Sequence, residues 1–307
     1  MELRTAANLV KVLDILPRRH GLRAKGNPLS CQPFFVIGSG RNGSTMFSGM
    51  LNSHSQVLLP TEQWRFPNMI LKYKIYNFLP WKELVSLIVG EIAASNSALH
   101  WNINFNDALT TLQYLPKEER SLQRILDEIY LTYGRQHGES FQVWGEKSPK
   151  NMPFTKEIFE VFPDSKYIFL IRDGRDVARS WLIKNKSDDI QWIADSWNES
   201  IQMFDWLRKR AGKKGLLKVH YEDLVSQPEE TLTRVMGFLD LPFEKEMLAF
   251  QAYANKIESQ QVLQHFEKLK QPANPSSIGK WKSYFDEDQT TFLEGIIGAN
   301  LQRFKYS

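Results

Sequence analysis

Short apolar runs alternate with amphipathic stretches of helical period along most of this chain. Phe34-Phe35-Val36-Ile37 is an unbroken apolar run and reads as a buried strand; Ser44-Thr45-Met46-Phe47 then opens a helix ending near Asn52. Gln56 to Leu59 predicts a short second strand closed by Pro60. From about Trp64 to Gly138 the period is mostly helical, broken at Pro67, Pro80 and Pro116. Phe141 to Trp144 predicts a third strand, Phe154 to Phe162 a helix, and Lys166 to Ile171 a fourth strand. Another helix begins around Arg172-Asp173-Gly174-Arg175-Asp176. Ile190 to Ala211 has the pattern of a long amphipathic helix, and Leu216 to Val219 of a further strand. Ser226-Gln227-Pro228-Glu229 has a capping-box pattern at the head of a later helix.

Strands alternating with helices predict an α/β fold. Specifically, we expect a P-loop-like parallel β-sheet flanked by helices, with a helical insertion (about 64–138) after the second strand. Residues 1–32 form a basic arm and 33–307 a single domain. The insertion is rich in aromatics (Trp64, Tyr73, Tyr76, Phe78, Trp81, Trp101, Phe105), which suits either a substrate wall or the core of a helical subdomain. Ligands of such sheets bind at the carboxyl ends of the strands. Polar clusters stand at those ends: Ser39 to Thr45, Glu146 to Lys150, Arg172 to Arg179 and His220 to Asp223.

Charge narrows the function classes. The net charge of +4 is carried by the arm, where Arg4, Lys11, Arg18, Arg19, Arg23 and Lys25 outnumber Glu2 and Asp14. Basic and acidic residues balance in the rest, so nucleic acid is not an expected partner. The arm reads as a solvated helix, with weak contact to a membrane surface or an acidic partner as the alternative. Apolar runs are too short to span a membrane, the N-terminus lacks a signal-peptide core, and the one cysteine, Cys31, cannot form an internal disulfide. Together these predict a cytoplasmic protein. Six scattered histidines offer no ligand spacing, so no metal is expected.

The glycine loop carries the first candidate chemistry. Gly38 and Gly43 stand at the spacing of a nucleotide P-loop, followed by Ser44 and Thr45. Backbone N–H groups converge in such a loop, and the helix behind it favours negative charge. Ser44 occupies the place of the lysine that reaches the outer phosphates of ATP, which suits a less highly charged sulfate-bearing nucleotide. A tight turn with no ligand is the plain alternative.

In order along the chain, these clusters resemble the sulfotransferases that use 3′-phosphoadenosine 5′-phosphosulfate (PAPS), and more closely the Golgi carbohydrate and tyrosylprotein branch with its bacterial relatives. The resemblance runs from about 33 to 300. Gly40-Arg41-Asn42-Gly43-Ser44-Thr45 is similar to that branch's loop for the 5′-phosphosulfate. Arg172 and Ser180 are similar to its 3′-phosphate motif, a strand ending in Arg with a Ser eight residues later. Ser276-Ser277-Ile278-Gly279-Lys280-Trp281 resembles the late loop that closes over the nucleotide. The resemblance implies sulfuryl transfer from PAPS to a hydroxyl or amine acceptor, giving PAP, without a metal. Glu62 stands where the branch keeps its base, with His100 as the rival; Lys147 is the candidate for the leaving group. Tyr221 either packs on adenine or is a core tyrosine. Simpler roles stand beside these: a loop carboxylate for Glu62, a packed ring for His100, an ion pair with Glu146 for Lys147, and one with Asp176 for Arg172. The acceptor could be a saccharide, lipid, peptide tyrosine or small alcohol. A P-loop kinase or NTPase, or a non-catalytic nucleotide- or partner-binding member of the fold, is the alternative function.

Overall fold

The computed structural model describes residues 19–25, 29–184, 188–251 and 273–306. Five strands occur among them: β1 (Gln32–Ile37), β2 (Val57–Leu58), β3 (Val143–Lys147), β4 (Lys166–Ile171) and β5 (Leu216–His220). The first helices are α1 (Ser44–Asn52), α2 (Phe66–Ile75), α3 (Trp81–Ala93), α4 (Asn96–Trp101), α5 (Phe105–Gln113) and α6 (Leu122–Gln136). After β3 come α7 (Thr155–Val161), α8 (Gly174–Ile183), α9 (Ile190–Gly215), α10 (Tyr221–Ser226), α11 (Pro228–Phe238) and α12 (Glu287–Arg303). The described residues form two compact units, one of residues 19–33 and 56–165, the other of 34–55 and 166–306.

In the second unit β1 pairs in parallel with β4, and β4 with β5. The inner residues of β1 and β4 are buried almost completely. Parallel strands covered on both faces require such unbroken apolar runs. The register Ile171↔His220 sets Arg172 and Tyr221 immediately beyond the paired ends of their strands. Asp173 caps α8 by accepting from the Arg175 N–H. The expected capping box at Ser226 is not there. Ser226 is the last residue of α10, and α11 starts at Pro228 behind Gln227 without a side-chain cap. Proline at the first helical position, with its fixed φ and no N–H to satisfy, provides the start instead. A true capping box closes on Asp286 and Gln289 at the head of α12.

In the first unit β2 pairs in parallel with β3, and α2 to α6 fill the stretch expected to be helical. β3 runs three residues further than expected, so Glu146 and Lys147 lie within the strand. Of the insertion's aromatics, Tyr73, Trp81 and Trp101 are buried, whereas Trp64, Tyr76 and Phe78 are exposed. Residues 19–25 dock here: Gly21 bridges to Ser121, Tyr73 Oη donates to the Gly21 carbonyl, and the His20 N–H donates to Asn77 Oδ1. The remainder of the basic arm up to residue 18, with Arg4, Lys11 and Arg18, lies outside the described residues. No described helix is long and apolar enough to cross a membrane.

Candidate functional site

The glycine loop of the second unit takes up left-handed backbone at three of four consecutive residues, Gly40 (φ 70°), Arg41 (φ 54°) and Gly43 (φ 89°). This geometry turns backbone N–H groups towards a common point. Asn42 holds the loop from beneath. Its buried Nδ2 donates to the Leu170 carbonyl at 2.7 Å, and its Oδ1 accepts from the Ser44 N–H at 3.3 Å. A Cβ on Gly38 would lie 2.2 Å from that Nδ2 and 2.4 Å from the Leu170 carbonyl oxygen, so only glycine fits. Gly43 is equally constrained: a Cβ there would sit 2.3 Å from Cδ2 of Tyr221. Ser44 and Thr45 follow in the first turn of α1, half-buried.

Four of the expected nucleotide residues come together beside this loop. Arg41 Nε donates to Ser180 Oγ at 3.2 Å, and Arg172 donates to the carbonyls of Arg41 (3.3 Å) and Ser277 (2.7 Å). Arg172 is 7% exposed and its Nε is buried with no partner among the described residues. A buried, fixed guanidinium with a spare N–H is suited to a phosphate. The Tyr221 ring packs on Gly43 and carries the Arg172 guanidinium 4.4 Å from its centroid. Ser276 and Lys280 are exposed.

Asp176 is a contributor whose role was missed. It lies 3.9 Å from Arg172, but its two oxygens accept from the N–H groups of Gly279 (2.7 Å) and Trp281 (3.0 Å). The Arg175 guanidinium lies 3.9 Å from the Trp281 ring centroid. The late loop is therefore clasped by α8. Burial pushes the Asp176 carboxyl up, against the pull of Arg172 and the two amides.

In the first unit Lys147 Nζ donates to Glu62 Oε1, and Trp64 Nε1 donates to Glu62 Oε2 at 3.0 Å. Lys147 thus pairs with Glu62 and not with Glu146, because strand alternation points neighbouring side chains to opposite faces. Lys150 Nζ stands 4.8 Å from the centroid of the exposed Trp64 ring. Glu146 turns inward, accepting from Tyr130 Oη and from Asn151 Nδ2 (3.0 Å). Complete burial pushes it up to about 7. His100 lies at the end of the short α4, half-exposed, and does not join the Glu62–Lys147 pair. The indole of the neighbouring Trp101 donates to the Thr61 carbonyl at 2.9 Å. Trp64 was expected only as an insertion aromatic and Lys150 only as the end of a polar cluster; the hydrogen bond from Trp64 to Glu62 and the approach of Lys150 to the Trp64 ring were not read from the sequence.

A family model described as "Sulfotransferase family" matches residues 33–245. The Caenorhabditis elegans protein-tyrosine sulfotransferase A is 26% identical over 282 residues, covering 89% of this chain and 67% of that protein. The Drosophila melanogaster protein-tyrosine sulfotransferase is 23% identical, covering 80% of this chain, which spans less than half (46%) of that relative. Among solved structures, the sulfotransferase domain of a Synechococcus olefin synthase superposes with a TM-score of 0.61 at 20% identity, over 88% of this chain and 96% of that one. These findings displace the kinase and NTPase alternative. They also overturn the cytoplasmic placement, since the matching relatives are protein-tyrosine sulfotransferases, Golgi enzymes acting on secreted proteins. A single cysteine forms no internal disulfide in any compartment, so Cys31 carried no information about location.

Proposed function

The chain belongs to the sulfotransferase family, and from that premise we propose that it transfers a sulfuryl group from PAPS to the phenolic oxygen of a polypeptide tyrosine. The observation that carries the donor half is Arg172, buried at the end of β4 with an unpartnered Nε and Arg41, Ser180 and Ser277 around it. These residues fit a terminal phosphate, and the left-handed loop from Gly40 to Gly43 fits a second anion. The acceptor class rests on the relatives, which are named for protein tyrosine.

PAPS, when bound, supplies an activated sulfuryl group on a phosphate leaving group. The protein's task is electrostatic: to hold charge where it develops and to move one proton. Loop N–H groups and Arg41 hold the anionic oxygens. Glu62 takes the proton of the acceptor hydroxyl, its carboxylate oriented by Lys147 and the Trp64 N–H. Lys147 neutralises the oxygen that departs. No metal enters these roles.

Single-turnover transfer to a tyrosine peptide tests the base. Glu62→Gln is expected to lower the rate by about 10²–10⁴ with PAP affinity nearly unchanged, while His100→Asn stays close to wild type. The reverse pattern would assign the base to His100.

A further inference from the structure

A second concentration of positive charge lies in the second unit, where α9 ends and β5 begins. A cavity of about 450 Å³ opens there, lined by Phe204 and Leu216 and by four cations, Arg208, Lys209, Lys213 and Lys218. Gly212 (φ 64°) kinks the backbone inside α9, three residues before its end. Phe204 is 8% exposed and forms a firm floor, packed on Phe169 and Phe304 with ring centroids 4.9 and 5.6 Å away. The lysine stems add further carbon to the walls.

The charge here is poorly compensated. Asp205 is engaged by Arg303 at 2.7 Å and by Arg208 at 3.7 Å. Lys218 is half-buried and is pushed down, first by burial and then by Lys305, against the pull of Asp223 and with Arg234 and Arg303 adding to the push. A helix C-terminus attracts cations within its last turn. That accounts for Lys213, and the shared Asp205 for part of the charge of Arg208, but neither accounts for Lys218 on the strand. Convergent cations around an apolar floor call for an anion with an apolar body.

We propose that this cavity binds a small aryl or alkyl anion, its apolar body on Phe204 and Leu216 and its sulfate, phosphate or carboxylate among Arg208, Lys213 and Lys218. The inference does not depend on the tyrosine acceptor or on the roles of Glu62 and Lys147. A concave site of this volume suits one such group better than a flat membrane surface.

The test is equilibrium dialysis of 4-methylumbelliferyl sulfate and phosphate, with saturating PAP to occupy the nucleotide cradle. Both probes are expected to bind, the neutral parent phenol at least tenfold more weakly. Lys213→Glu and Lys218→Met are each expected to lower probe affinity at least tenfold while leaving PAP affinity unchanged, which also reports an intact fold. Lys213 is exposed, so its replacement keeps the test valid should Lys218→Met fail to fold. Competition by a sulfotyrosine peptide would identify a polypeptide as the source of the anion, and its absence a free small molecule; either result supports the site. Unchanged probe affinity in both variants would overturn the proposal, as would equal binding of the neutral phenol. Binding confined to phosphatidylserine vesicles and lost in Lys213→Glu would also overturn it.

Discussion

Replacing Glu146 by Gln should change how the stability of the protein responds to pH. Glu146 is fully buried, and desolvation raises its carboxyl from 4.5 to about 7 despite donors from Tyr130 and Asn151 and the nearby Lys147. Below pH 4.5 the group is protonated in folded and unfolded chains alike. Between 4.5 and about 7 the folded chain keeps a proton that the unfolded chain releases, so stability falls as pH rises. At 1.36 kcal/mol per unit the loss reaches about 3 kcal/mol above pH 7. Asp127, raised to about 6 by burial, slopes the same way, whereas His220, lowered to about 4 by burial, gains stability as pH rises from 4 to 6.5. Both are common to wild type and variant and cancel in the difference. The amide of Glu146→Gln can still accept from Tyr130. Turning Asn151 would present its Oδ1, buried without a partner among the described residues, to the new NH₂. Urea unfolding followed by tryptophan fluorescence at intervals from pH 4.5 to 8 is the assay. The variant should become more stable than wild type by about 3 kcal/mol at pH 8, relative to their difference at pH 4.5. Parallel profiles would refute the assignment of the buried proton to Glu146.

Other outcomes follow from the same geometry. Arg172→Ala should weaken PAP binding, measured by calorimetry, by about 1.5–3 kcal/mol, or roughly 10- to 150-fold; equal affinity with an intact fold would remove Arg172 from the cradle. Lys147→Ala should reduce kcat far more than PAP affinity, because its proposed partner is charge that develops in the transition state. Combined with Glu62→Gln, it should show a coupling of about 0.5–3 kcal/mol in urea melts, and additivity would mean the ion pair contributes nothing. Gly43→Ala should abolish PAP binding, since its Cβ would meet the Tyr221 ring and its φ lies in the left-handed region. Wild-type affinity there would show that the loop is not the anion site.

The placement of the glycine loop and Arg172 was legible because buried parallel strands leave unbroken apolar runs. Phe34 to Ile37 and Lys166 to Ile171 mark where the chain must stop being apolar, and the loop and Arg172 follow at once. β3 was less legible, since Gly145-Glu146-Lys147 does not read as strand. It becomes one because Tyr130 and Asn151 satisfy the buried carboxyl of Glu146 and Glu62 pairs with Lys147. Ser226 matched a capping pattern only locally, and Pro228 decided the helix start. Asp176 was visible as a possible partner of Arg172, but its grip on Gly279 and Trp281 spans 103 and 105 residues. Spacing within one segment cannot encode a contact of that range.

Those spans set the order in which these contacts are completed as the chain is made. Arg41 and Ser180, 139 residues apart, can meet early, but Arg172 and Asp176 gain Ser277, Gly279 and Trp281 only when residues 277–281 have emerged. At roughly 5–20 residues per second, on the order of 10–50 s separate synthesis of the glycine loop from that of its closing segment. During this interval the strands can pair, yet two charges destined for burial lack their final partners. A nascent chain arrested before residue 275 would thus carry the strands of the second unit without the contacts that fix Arg172 and Asp176.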